Sequence, residues 1–153
     1  MRIGVDAMGG DYAPREIIRG AIEALPSLNG HELVLIGDEP TIRFELERLQ
    51  SPAANVQIVH ASQVIGMNEA PVEAVRTKKD SSICRMVVMA AERSLDAVIS
   101  AGNTGAFAAA SATRAKAADQ ITRLRITRRS FPSNRPTDRR SADSALRPAC
   151  LGT

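Results

Sequence analysis

Asp96-Ala-Val-Ile-Ser-Ala-Gly-Asn-Thr-Gly105 runs from a short apolar segment into a turn with two glycines, and Ala106–Ala110 beyond it has helical character. A buried strand, a tight turn and a helix start, in that order, mark the place where parallel α/β sheets bind anions. Ser100, Asn103 and Thr104 add three small polar side chains, so backbone N–H groups, an amide and a hydroxyl can converge on one tetrahedral oxyanion. On spacing alone the segment is equally an ordinary βα turn capped by Asn103 or Thr104. Asp6-Ala-Met-Gly-Gly-Asp11 repeats the arrangement behind the apolar run Arg2–Asp6. Glycine there permits φ > 0 and close backbone approach to a ligand. Its two aspartates would repel phosphate unless they orient donors, so this turn taken alone favours a structural role. The pair of turns together points to phosphate or a similar oxyanion.

Between the turns the apolar pattern alternates. Pro14–Leu25 places Ile17, Ile18, Ala21, Ile22 and Leu25 on one helical face, with Pro14 suited to the first turn. Glu32–Gly37 reads as a second strand, followed by Asp38 and Thr41 as capping candidates for a helix carrying Ile42, Leu46 and Leu49. Val56–His60 is the third strand. A short helix over 69–78 and a second over 82–94, with Ile83, Met86, Val87, Ala90 and Ala91 in register, precede the fourth strand, Asp96–Ser100. This order predicts an α/β protein: a doubly wound parallel sheet with helices on both faces. The turns after its strands then gather at the carboxyl edge, where ligands sit at a reversal of strand order.

Composition narrows the function classes. The chain of 153 residues is 44% hydrophobic with no Trp, one Tyr and three Phe, so the core is built from aliphatic residues and platforms for stacking nucleic-acid bases are missing. Cys84 and Cys150 lie in unlike contexts and form neither a disulfide framework nor a metal spacing, which predicts a reducing, cytoplasmic setting and no metal or other cofactor. A strand containing Asp6 at the N-terminus predicts no signal peptide, and no apolar run approaches membrane-spanning length. From Asp119 the composition changes: residues 119–153 hold eight Arg, three Asp, no Lys and no Val. Residues 1–118 carry 12 Lys+Arg against 14 Asp+Glu, so the formal +3 of the chain resides in the tail. We therefore expect an α/β body over 1–118 and an Arg-rich, disordered tail over 119–153. Its Lys-free, Ser/Pro-rich make-up favours a reading-frame change over a natural basic extension.

Other candidates are weaker. Neither G-x-G-x-x-G nor G-x-x-x-x-G-K-[ST] occurs, so dinucleotide and Walker-type ATP sites lack support. Arg76-Thr-Lys-Lys-Asp80-Ser-Ser82 puts cations at one helix end and caps at the next helix start, either a helix–helix junction or a docking site for an acidic partner. His60 at a strand end reads as a packed or surface residue, and Cys84 on an apolar helical stripe as a packing residue, with no paired base for the thiol.

In order along the chain, Met1-Arg-Ile-Gly-Val-Asp-Ala-Met-Gly-Gly-Asp11, Val34-Leu-Ile-Gly-Asp38, Ile58-Val-His-Ala61, Arg76-Thr-Lys-Lys-Asp-Ser-Ser82 and Ser100-Ala-Gly-Asn-Thr-Gly-Ala106 resemble the N-terminal part of the bacterial phosphate acyltransferases of phospholipid synthesis. The resemblance spans residues 1 to about 112. It implies the N-terminal half of a larger three-layer fold, and transfer of a fatty acyl group from acyl carrier protein to inorganic phosphate. It further implies a homodimer of cytoplasmic chains with peripheral association at the inner face of the membrane, and no specific nucleic acid partner. On this basis Asn103 and Thr104 are the expected catalytic residues and Gly9, Gly10, Ser100, Gly102 and Gly105 the phosphate-binding ones. Asp6 and Asp11 would shape the first loop, while Arg76, Lys78 and Lys79 would dock the acidic carrier. A family chain of this kind is more than twice as long, so this one is expected to be truncated and inactive alone. The alternative is a noncatalytic fragment that binds phosphate, or polyanions through its basic tail.

Overall fold

The computed structural model describes residues 1–50 and 56–115; the predicted tail over 119–153 lies outside them. Its elements are β1 (Arg2–Asp6), α1 (Arg15–Ala24), a 3-10 turn (Leu25–Leu28), β2 (Glu32–Gly37), α2 (Glu39–Arg48), β3 (Val56–His60), α3 (Pro71–Thr77), α4 (Ser82–Ala91), β4 (Ala97–Ile99) and α5 (Thr104–Ala115). The four strands form one parallel sheet in the order β3-β2-β1-β4. It is the doubly wound α/β arrangement that the alternation of apolar runs implies.

Side-chain alternation along β2 explains why both faces are covered. Leu33 and Leu35 point into one core with Val5, Ile18, Ile42 and Leu46, which is where α1 and α2 pack. Val34 and Ile36 point into the other, with Met86 of α4 and Leu95. A strand buried on both sides needs apolar residues at every position, and Leu33 to Ile36 are all buried. Each fully buried aliphatic side chain contributes on the order of 1.5–3 kcal/mol to folding. A third cluster, with Ala74, Ile83, Val87 and Ala110, joins α3, α4 and α5.

Helix ends follow local chemistry. The Asp38 carboxylate accepts from Thr41 N at 3.2 Å and caps α2, as the sequence suggests. Thr41 Oγ1 donates to the same carboxylate, and these two bonds hold its pKa below the usual range. Ser81 caps α4 by accepting from Cys84 N at 3.4 Å. The first helix starts at Arg15, one residue later than expected, with Pro14 as its N-cap.

From β1 the chain winds outward through β2 to β3, then crosses back through α3 and α4 to add β4 on the other side of β1. Strand order therefore reverses between β1 and β4. The two glycine turns leave the carboxyl ends of those two strands.

Candidate anion site at the sheet edge

Asp6, the last residue of β1, is fully buried and ties the two turns together. Its Oδ2 accepts from Ser100 Oγ at 2.8 Å and its Oδ1 from Met8 N at 3.1 Å. Ser100 Oγ in turn accepts from Gly102 N at 3.1 Å. Among the described residues no cation pairs with this carboxylate; N–H and O–H donors hold it. Between the turns the backbones touch. A Cβ on Gly9 would lie 2.5 Å from Asp6 Oδ2 and 2.8 Å from Gly102 N, and one on Gly102 would lie 3.1 Å from Gly9 Cα. Gly10 has φ +114°, in the region that favours glycine.

Asn103 organises the second turn. Its Oδ1 accepts from Ala106 N at 2.9 Å, which makes it the N-cap of α5. Its amide nitrogen donates to the carbonyls of Gly66, Met67 and Glu69 at 3.1, 3.3 and 3.0 Å. With 6% of its surface exposed, the amide has no hydrogen left for an anion. The free donors lie just beyond it: among the described residues, the N–H groups of Thr104 and Gly105 and the Thr104 hydroxyl meet no acceptor. They sit on the exposed first turn of a 12-residue helix, at the positive end of its dipole.

The loop clamped by Asn103 has its own brace. Glu69 Oε1 accepts from Gly66 N at 2.6 Å and from Lys78 Nζ at 2.6 Å, and Lys78 Nζ also donates to the Val64 carbonyl at 2.9 Å. The Lys78 ammonium, followed by the Gly66 amide, holds the Glu69 carboxyl below its usual pKa. Gly105 packs against Pro71 at the head of α3, where an added Cβ would come within 2.6 Å of the proline ring. The expected site residues therefore sort by position. Asp6, Gly9, Gly10, Ser100 and Gly102 lie where the two turns touch, Asn103, Thr104 and Gly105 follow at the head of α5, and Asp11 is exposed. Lys78, grouped with the docking cations from sequence, is held inward by Glu69; Arg76 and Lys79 are exposed and pair with no carboxylate among the described residues.

Two residues were not singled out from sequence, Glu69 and Met8. The signal for Glu69 was its position just ahead of Pro71, where a helix can start and a carboxylate is free to turn back. Asp80 accepts from Ser62 N and Oγ and pairs with Arg85, making 76–82 a braced helix–helix junction. Cys84 is buried in the α3–α4–α5 cluster, and His60 Nδ1 accepts from Glu39 N at 3.2 Å.

A family model described as fatty acid synthesis protein matches residues 1–137. The chain belongs to that family. The matched stretch runs past the compositional change at Asp119. Among curated relatives, the phosphate acyltransferase of Halothermothrix orenii is 49% identical over 109 residues, covering 71% of this chain and 33% of the relative. Those of Brevibacillus brevis and Fusobacterium nucleatum are 48% identical over 123 residues and 41% over 116, covering 80% and 76% of this chain and 36% and 35% of theirs. The chain thus spans about a third of the length of the curated relatives it matches. Among the described residues, no helix is long and apolar enough to cross a membrane.

Proposed function

We propose that the crevice between β1 and β4 holds inorganic phosphate. In the complete family chain that phosphate attacks the thioester of a fatty acyl group carried by acyl carrier protein. The observation that carries this reading is the meeting of two glycine turns, backbone on backbone, at the reversal of strand order and beside free helix N–H groups. Thr104 and Gly105 offer the donors. Asp6, Ser100 and Asn103 position them, and Gly9, Gly10 and Gly102 let the backbones close without a Cβ in the way.

A phosphate oxygen adds to the thioester carbonyl, the tetrahedral oxyanion collapses, and the carrier thiolate leaves and takes up a proton. The product is an acyl phosphate. Rate comes from holding the phosphate in line and from donors aimed at developing negative charge, with no covalent enzyme intermediate. Arg76 and Lys79 meet the acidic carrier. As in the reading from sequence, the complete protein works as a cytoplasmic homodimer that visits the membrane surface.

Because the chain spans a third of its relatives, this reading assigns it one wall of the cleft: it binds phosphate and does not turn over alone. The test joins residues 1–112 to the remaining two thirds of a relative and assays acyl phosphate. Thr104→Val, which removes a donor, should lower kcat/KM by on the order of 10²-fold at nearly unchanged stability. Asn103→Ala should also unsettle the fold, because it removes a cap worth about 1 kcal/mol and takes the amide donor from the Met67 and Glu69 carbonyls. Wild-type rates with Thr104→Val would reduce the segment 100–105 to a plain turn.

A further inference from the structure

The donors assigned to the crevice, the N–H groups of Thr104 and Gly105 and the Thr104 hydroxyl, would serve any tetrahedral oxyanion alike. Phosphate and sulfate differ in that phosphate in neutral water keeps a hydrogen to donate. A site tells them apart by offering that hydrogen an acceptor. Ser100 Oγ has the hydrogen-bonding state for this task. The residue is half-buried and follows β4 directly. An ionised carboxylate only accepts, so the hydrogen in the 2.8 Å contact with Asp6 Oδ2 is the serine's own. Gly102 N can only donate, and it fills one of the two lone pairs of Ser100 Oγ at 3.1 Å. One lone pair remains, and no hydrogen; among the described residues no further donor reaches it.

We propose that this lone pair accepts the P–OH of hydrogen phosphate, so that the crevice takes tetrahedral oxyanions carrying a hydroxyl and rejects those without one. The inference rests on the phosphate reading of the crevice and adds the residue that sets its selectivity. Asp6 is the positioning residue: fully buried, it commits the serine hydrogen to itself. Its own orientation is fixed from the other side, where Oδ1 accepts from Met8 N at 3.1 Å. A fully ionised oxyanion would set acceptor against acceptor. The cost of leaving such an acceptor unmatched corresponds to about 10- to 100-fold in affinity. Holding the phosphate hydroxyl on Ser100 also keeps the proton off the oxygens left to attack a thioester.

The test is anion titration of the full ¹⁵N-labelled chain in mildly alkaline buffer at constant ionic strength. It is read at the Thr104 and Gly105 amides, so that binding to the arginines of residues 119–153 does not enter. Hydrogen phosphate, monofluorophosphate and sulfate are then dianions of similar size, and only the first carries a hydroxyl. Phosphate should bind about 10- to 100-fold more tightly than the other two, and hydrogen arsenate, which keeps an As–OH, should follow phosphate. Asp6→Asn should reverse the preference. Met8 N holds the new amide oxygen in the place of Oδ1, so the amide nitrogen takes the place of Oδ2 and donates to Ser100 Oγ. With both lone pairs filled, the hydroxyl turns its hydrogen to the anion, and sulfate and monofluorophosphate should gain. Ser100→Ala should bring the four anions to similar affinity. Equal binding of the four by wild type would overturn the inference and leave the phosphate reading standing. No saturable shift at Thr104 and Gly105 with any of them would overturn the phosphate reading and this inference with it. A preference that survives unchanged in both variants, each with a native far-UV spectrum, would also overturn it by placing the discriminating acceptor elsewhere. The wild-type comparison needs no variant and decides alone if either one fails to fold.

Discussion

Asp6 and Ser100 are 94 positions apart and share a hydrogen bond because each closes one of two adjacent parallel strands. The residue types were legible in the sequence; their pairing was not, because nothing local says which strands are neighbours. That pairing changes the roles. The Ser100 hydroxyl, expected on phosphate, donates to Asp6 and accepts from Gly102 N. The Asn103 amide, also expected on phosphate, is taken by three carbonyls. The glycines were legible, since only an absent side chain explains two of them at each turn. Gly9→Ala is the sharpest test at this scale. Its Cβ would meet a buried carboxylate at 2.5 Å and a backbone nitrogen at 2.8 Å, neither of which can swing aside. A loss of about 1–3 kcal/mol, as for other overpacked sites, should appear in urea denaturation together with loss of phosphate binding. Gly20→Ala is the control: it lies within α1 with nothing within 4 Å of a new Cβ, so stability should hold or rise.

Among the elements, the strands were read almost to the residue because each is a short apolar run bounded by turn residues, and in β2 the run is buried at every position from Leu33 to Ile36. The helix over 69–78 begins instead at Pro71, since Glu69 turns its side chain to Gly66 and Lys78 and gives its carbonyl to Asn103. Sequence periodicity does not register such long-range claims on a backbone. The junction between α3 and α4 yields a pH prediction. Donation from Ser62, hydroxyl first and then amide, together with the Arg85 guanidinium, holds the Asp80 carboxyl well below the usual carboxylate range. A depressed pKa contributes stability above the unfolded value, and that contribution disappears as pH falls through the folded one. Wild type should therefore melt higher than Asp80→Asn at neutral pH, and the gap should close progressively below about pH 4, where free aspartate protonates. Thermal unfolding of both proteins across pH 2–7 makes the comparison. A gap that stays constant throughout would show that the carboxylate charge plays no part in bracing the junction.

At the scale of the molecule, the alternation of strands and helices was enough to infer a doubly wound sheet, but only the strand order β3-β2-β1-β4 locates the reversal between β1 and β4. The central claim concerns that reversal: the crevice formed by the two glycine turns is an oxyanion site that belongs to this third of the family chain. Titration of inorganic phosphate into the uniformly ¹⁵N-labelled chain, followed by amide correlation spectra, tests it most directly. Saturable shifts should concentrate at Thr104 and Gly105 and spread weakly to Gly9, Gly10 and Gly102. They should be absent when chloride replaces phosphate at equal ionic strength. Phosphate-induced shifts confined to the arginines of residues 119–153, with Thr104 and Gly105 unmoved, would contradict the account.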